Sequence, residues 1–476
     1  MHFFLCNWYK NCTFVGWKHI KALRKESILK KWIFILGLIA VSLGCQAEKY
    51  RTHVVTPETV KSLRLRYVTV SDAGMTIQDG DPERVFLVKR SGEEIGEGGD
   101  ARGRVLEISF DELSHEVRQY TYKVLHLNAD GTESNLSSYE YVGGFTTGEI
   151  TNYEHSLNTS VLYTHYSFTF PNSDIRLLTS GNYALKIYED GDEDKTIATV
   201  VVSVVEPAIS VVGKVRSETD IEINRRFQQL DVSLSVEGVR FNGQMTDYFI
   251  VVRQNGRYDN EAFKPKPTYI ESNKLRYTNC KELIYEGGNE YRHFDIFSTY
   301  FAGAGVDRIV HDRTDYHTAL FADGWRTGNY MHEFDVDGQW KINAERTLYD
   351  MDTEAEYMWV HWVVPCENPW FDGAVYVGGD LFENNLSMRN RMAYDGDRKC
   401  YWLDGLFKQG GYDFQYWFVP NRSERLALSA ERIDKAVTLE RTEGSHWETR
   451  NEYTIYVYYR PFGSRADQLV GLQVLR

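Results

Sequence analysis

The sequence predicts an all-β protein of three consecutive Ig-like β-sandwiches behind an N-terminal export signal. Three observations predict it. Short segments alternate polar and apolar residues with a period of two, turn residues separate these segments, and helical periodicity is nearly absent. The length of 476 residues agrees, because a prior of roughly 100–200 residues per domain gives about three units. The chain is 42% hydrophobic and 26% charged, with 37 Gly and only 10 Pro, which excludes a disordered or fibrous chain.

The first element is the signal, assigned to residues 1–44. Its apolar stretch is Trp32–Leu43, WIFILGLIAVSL, preceded by a basic segment. At 1.5 Å per residue the stretch spans about 18 Å as a helix, well short of the roughly 30 Å hydrocarbon core, so it reads as a signal-peptide apolar region rather than a spanning helix. Residues before Glu26 are unusual for a signal and read as an extension upstream of the true start codon. Ser42-Leu43-Gly44-Cys45 is similar to a bacterial lipobox, in which Gly44 fits and Ser42 and Leu43 do not. Cys45 is therefore a candidate lipidation site. The alternative is ordinary cleavage after Ala47, with Cys45 and Ala47 as the small residues. Gln46-Ala47-Glu48-Lys49 lacks an acidic run of the surface-export kind, so a lipid there would face the periplasm.

The first unit is 45–206. It contains VKSLRLRYVTV (from Val60), RVLEISF (104–110), RQYTYKVLHLN (118–128), SVLYTHYSFTF (160–170), GNYALKIYED (181–190) and ATVVVSVVE (198–206), with turns such as Asn128–Gly131 between them. Pro207 closes it. The second unit, 207–353, holds AISVVGKVR (208–216), QQLDVSLSV (228–236), DYFIVVRQNGRYD (247–259), RHFDIFS (292–298) and DYHTALFAD (315–323). Within it, Asn255-Gly256 predicts a tight hairpin, because both residues accept positive φ. The third unit, 354–476, runs from YMWVHWVVP through AVYVGGDL, KCYWLDGLF and GYDFQYWFVP to EYTIYVYYRPF. Tryptophan marks the division, since every Trp beyond the signal lies after residue 324.

Charge and cysteine content narrow the chemistry. The net charge is −14, and the first 44 residues supply seven basic side chains against one acidic. Without them, 47 basic residues face 67 acidic ones, a net of −20. Such a surface argues against nucleic acid and anionic lipid, both of which need basic patches. Of six cysteines, Cys6 and Cys12 leave with the signal. Cys280, Cys366 and Cys400 remain, and a Cys366–Cys400 disulfide is left open by their spacing. No CxxC or Cys/His cluster predicts zinc.

Enzyme signatures are missing: there is no Gly-x-Ser-x-Gly elbow, phosphate-cradling glycine loop or His-Glu-x-x-His pair. Glu333, Asp335 and Asp337 precede Gly338 with the alternation of a calcium loop, but residue 344 is Ala where the closing acid belongs, so an acidic turn is expected. His311 and His317 lie six apart, with His361 and His446 elsewhere, and no third ligand is spaced to complete a metal site. Trp402, Tyr412, Phe414, Tyr416 and Trp417 have the ring content of a sugar-stacking platform. They also have the period of a buried sheet face.

Four longer segments carry a resemblance. Ser156-LNTSVLYTHYSFTFPN, Ser180-GNYALKIYEDGD, Gly288-NEYRHFDIFS and Gly444-SHWETRNEYTIYVYYRPFGSRADQLVG together resemble the plug protein of the Bacteroidota type IX secretion system, in order and over essentially the whole exported chain. The resemblance implies a non-catalytic periplasmic protein, associated with the outer membrane, that binds the translocon barrel there and seals its periplasmic opening between cargoes, with no cofactor. The segment after Glu354 is also similar to early-set glycogen-binding modules. Gly379-Asp380-Leu381-Phe382-Glu383-Asn384 lacks the Trp those modules carry. The alternative function is a carbohydrate-binding lipoprotein of the periplasm or surface. Gly444–Glu448 and Arg460–Gly463 are the candidate contact loops, because strand alternation breaks in both.

Overall fold

In the computed structural model, residues 48–71, 74–78, 84–236, 244–345, 347–421 and 437–476 are described. Cys45, Ala47 and the export signal lie outside the described residues. Regular secondary structure among the described residues is almost all strand, as the alternation predicts. Its α-helices are two single turns, Ser138–Tyr141 and Met351–Glu354.

Two sheets make the first sandwich. One sheet runs His53–Val54, Thr196–Val205, Gly181–Glu189, Tyr120–Leu127, Thr147–Ile150, with Phe86–Val88 parallel to Thr196–Val205. The other runs Gly74–Ile77, Val60–Ser71, Arg104–Glu112, Thr164–Phe170, Asn152–His155. Alternate residues of both sheets meet between them: Leu106, Ile108, Phe110 and Tyr166 from one, Tyr122, Val124, Leu185 and Val202 from the other.

The second sandwich is discontinuous. Its first sheet runs Ser210–Arg216, Phe227–Ser235, Lys274–Tyr277, Tyr269–Ile270, with Ile284–Glu286 also on Phe227–Ser235. Its second sheet needs the end of the chain: Ala262–Phe263 pairs with Tyr248–Gln254, which pairs with Tyr453–Tyr459 and through it with Gln468–Leu475. Leu230, Val232 and Leu234 pack against Ile250, Val252, Ile455 and Val457 in the core.

The third sandwich sits inside the second in sequence. Gly410–Pro420 is the spine of one sheet and pairs with Arg292–Asp295, Trp340–Ile342 and Gly373–Gly378. The facing sheet runs Val306–His311, Tyr316–Leu320, Tyr357–Pro365, Cys400–Lys408, Ala393–Asp395. Gly378 is required by close packing, because a Cβ there would sit 1.9 Å from Cε2 of Trp417.

Pairing therefore departs from the expected units 207–353 and 354–476. A cut at 353/354 passes through the third sandwich and strips the last two strands from the second. Alternation identifies a strand but not its partner, and partner choice here is decided by packing across more than 200 residues of chain. The Asn255-Gly256 expectation is corrected in part. Both residues take positive φ, at 51° and 69°, but the paired residues across the turn are Val252 and Ala262, so the connection is longer than a tight hairpin. Asn255 instead binds the C-terminal strand entry: its N–H donates to the Glu452 carbonyl, and its Oδ1 accepts from Glu452 N–H.

The sandwiches from Lys49 to Arg476 form one compact unit. An apolar cluster of Ala129, Val205, Val251, Tyr458 and Leu469 joins the first to the second. The buried pair Arg292–Glu443 (3.0 Å) joins the third to the segment leading back into the second. Among the described residues, no helix is long and apolar enough to cross a membrane.

Candidate functional site

The seam between the first and third sandwiches is built from buried charge. Asp111, on Arg104–Glu112, accepts from Lys408 Nζ (2.7 Å), Tyr357 OH (2.7 Å) and His165 Nδ1 (2.6 Å). Beside it, Asp352 accepts from Arg64 (2.5 Å) and Arg66 (2.7 Å). Burial alone would raise the Asp111 carboxyl, but Lys408 and His165 outweigh it and hold the group below the ordinary range. Burial is likewise outweighed at Asp352, which the two arginines hold well below that range. Where the three sandwiches meet, a cavity of about 700 Å³ is lined by Arg64, Arg66, Arg84, Arg253, Asp352 and Asp380 among others. Its guanidinium groups are already paired, Arg84 with Glu452 and Arg253 with Glu261.

On the outer side of the same seam, buried carboxylates brace loops that expose apolar side chains. Glu354 accepts from the backbone N–H of Leu348 (2.6 Å) and Tyr349 (2.8 Å). Glu356 accepts from the N–H of Ser160 (2.5 Å) and Val161 (3.2 Å), and Leu157 N–H donates to the Thr353 carbonyl. A third loop joins through Glu345, whose N–H donates to the Phe297 carbonyl and whose carboxylate accepts from Ser298. The backbones are fixed, yet Leu348 and Tyr349 are 81% and 83% exposed, and Leu157, Leu162 and Phe301 are also largely in solvent. Exposed apolar groups on braced loops have the physical character that protein contacts favour, because the backbone has little entropy left to lose on binding.

The sites expected from sequence are placed elsewhere. Gly444–Glu448 is a joint rather than a free loop: Gly444 and Ser445 are buried, Ser445 Oγ donates to the Arg226 carbonyl (2.6 Å), and His446 N–H donates to the Gly288 carbonyl (2.8 Å). In Arg460–Gly463, Arg460 turns back to Asp467 (3.1 Å), while Phe462 is fully exposed. Glu333, Asp335 and Asp337 do not converge. Glu333 pairs with Arg326 (2.9 Å), and Asp335 accepts from Tyr291 N–H. Among the described residues, no group of three or more His, Cys, Asp or Glu is disposed to hold a metal ion. Of the five rings weighed as a sugar platform, Tyr412, Phe414, Tyr416 and Trp417 are core residues and only Trp402 reaches solvent. Cys280, Cys366 and Cys400 are all free thiols. The braced loops left no signal in the sequence, since neither Glu354 nor Leu348 belongs to a motif.

Comparison with known proteins bears on the first sandwich and then on the whole unit. The family described as "Type 9 secretion system plug protein 1st domain" matches residues 99–206, a span that ends where the first sandwich ends. No curated protein matches the chain. A crystal structure of a hypothetical protein from Parabacteroides merdae ATCC 43184, solved at 2.30 Å resolution, is similar: it is 34% identical, covers 90% of this chain and 100% of its own, and superposes with a TM-score of 0.79. The match over residues 99–206 places this chain in the type IX secretion system plug protein family.

Proposed function

We propose that the protein is a non-catalytic plug that seats against the periplasmic opening of the outer-membrane type IX translocon barrel and seals it between cargoes. The plug-domain match over residues 99–206 carries this reading. The braced apolar loops support it and suggest where the contact forms. Two other occupants of that surface are disfavoured by charge. A net of about −20 on the exported chain repels an anionic leaflet and a second copy alike, so a protein with an apolar centre and a basic rim fits best. On this reading the protein works in the periplasm, reaches the outer membrane through its partner, and gains local concentration if Cys45 carries a lipid. Four of the five candidate sugar-stacking rings are buried, which leaves the carbohydrate-binding alternative without an aromatic platform there.

The test is capture from outer-membrane extracts under conditions that preserve the translocon. The wild-type chain is expected to recover a very large barrel protein, and Leu348→Glu/Tyr349→Glu to lose it while keeping the wild-type unfolding curve. Recovery of the free monomer alone by the wild-type chain would remove the plug reading. Equal barrel recovery by both chains would keep the plug and move the contact elsewhere.

A further inference from the structure

Two sequence features that the barrel contact does not use, Cys45 and the Arg460–Gly463 loop, bear on one end of the molecule. Only Gln46, Ala47 and Glu48 separate Cys45 from Lys49. Four extended steps span at most about 14 Å, so a lipid on Cys45 holds a leaflet within that reach of Lys49 whatever path the linker takes. The chain enters the first sandwich beside the turn Asn128–Gly131: Lys49 is bridged to Thr132, and Tyr50 N–H donates to the Gly131 carbonyl (2.8 Å). That turn also holds the loop that follows Tyr453–Tyr459. Ala129 N–H donates to Asp467 (2.9 Å), Arg460 donates to Asn128 Oδ1 (3.4 Å), and nearby Asn135 N–H donates to the Arg465 carbonyl (3.2 Å). The loop itself is fixed, since Arg460 N–H donates to the Asp247 carbonyl (2.9 Å) and Ser464 N–H closes a turn on the Pro461 carbonyl (2.9 Å). Within that turn Phe462 is fully exposed, and Tyr139, next to the Glu140 that pairs with Arg465, is 75% exposed.

We propose that this end faces lipid: with Cys45 acylated, Phe462 and Tyr139 seat in the headgroup region of a leaflet of zwitterionic lipids. The inference rests on acylation of Cys45 and not on the plug reading. So short a tether leaves a folded body little room to stand off in water, and the surface around Lys49 lies against the leaflet. Aromatic rings favour the headgroup level, and a ring on a braced turn loses little entropy in settling there. The lipid and the two rings belong to one chain, so each contact raises the effective concentration of the others. Charge selects the headgroup. Arg460 and Arg465 are paired with Asp467 and Glu140, while Asp130 and Glu133 are exposed beside Lys49 and Thr132, so the surface attracts an anionic lipid little and does not repel a zwitterionic one.

The experiment places the whole exported chain, isolated from membranes, on phosphatidylethanolamine/phosphatidylcholine vesicles whose acyl chains are brominated or not, and reads tryptophan emission. The emission that Phe462→Trp adds should fall about twofold or more in the brominated vesicles, and that added by Tyr139→Trp likewise. Phe371→Trp, at a position 86% exposed on the third sandwich, should add emission that bromine leaves unchanged. Cys45→Ala should bind the vesicles about tenfold more weakly or worse. Equal emission from Phe462→Trp in the two kinds of vesicle, with the chain bound, would overturn the lipid-facing surface, and so would quenching as strong at Phe371→Trp. A wild-type N-terminal peptide that carries no acyl group by mass spectrometry would overturn the tether on which the surface rests. The vesicles hold no translocon, so none of these outcomes depends on barrel capture.

Discussion

Lys408 Nζ lies 2.7 Å from Asp111 Oδ2, 297 residues earlier in the chain, and neither side chain is more than 2% exposed. The pair spans the seam between the first and third sandwiches. Removing one charge therefore leaves the other buried without compensation. Lys408→Met is expected to cost about 3–5 kcal/mol, and Lys408→Met/Asp111→Asn clearly less. Urea unfolding of the three chains checks this. Equal losses would show that the seam depends on volume rather than on charge balance.

His126 makes a second expectation specific to pH. It is fully buried, hydrogen-bonded by Ser134 Oγ (3.0 Å) and near the Ser180 carbonyl (3.2 Å), and burial pushes it down to about 4. In the unfolded chain it titrates near 6.5. Between those values the unfolded state holds the extra proton, so stability falls with falling pH, by up to about 1.4 kcal/mol per pH unit. Above about 6.5 the contribution is complete. Replacing it, as in His126→Gln, should flatten the unfolding midpoint over that window. The depressed carboxyls of Asp111 and Asp352 act at lower pH, below their unfolded value near 3.9, and their loss should open the seam only there.

Asp335 has the opposite sign. Burial, reinforced by Asp413 and Asp337, pushes it up to about 8. A carboxyl raised by folding loses stability as pH rises through its folded value, so Asp335→Asn should stabilise the protein at pH 8.5 by on the order of 1 kcal/mol and change little at pH 4. Thermal unfolding at the two pH values decides it. Equal shifts at both would mean that the carboxyl is not the cause.

The discontinuous second sandwich predicts a local effect of truncation. A chain ending at residue 452 loses Tyr453–Tyr459, the partner of Tyr248–Gln254. Amide hydrogen exchange in Tyr248–Gln254 should rise by orders of magnitude, while Arg104–Glu112 stays protected between its two neighbours. Uniform deprotection would instead show that the three sandwiches unfold as one.

The sequence made the strands legible and hid their partners. RVLEISF and GYDFQYWFVP alternate so regularly that their place in a sheet follows from local pattern alone. Tyr453–Tyr459 is just as regular, but nothing local says that it belongs with Tyr248–Gln254 rather than with Gly410–Pro420. Sites follow the same rule. Sequence spacing relates His317 to His311, six residues away, whereas its contact is His361, forty-four residues on, because a parallel strand pair brings them together. The braced loops were invisible for a different reason. Glu354 and Glu356 act on backbone N–H groups, and a backbone partner leaves no trace in residue type.

The nesting of one sandwich inside another also sets an order of events as the chain is made. Residues 292–420 can complete their own sheets as soon as they emerge, whereas Tyr248–Gln254 must wait, one edge open, until the final 24 residues arrive. Throughout that wait Ile250 and Val252 lack their cross-strand partners Val457 and Ile455, and an unpaired apolar edge is the kind of surface that recruits the wrong strand. Shielding of the half-built second sandwich during synthesis therefore falls to its already finished neighbours or to a chaperone, and termination after Gln254 but before Tyr453 leaves that sticky edge open.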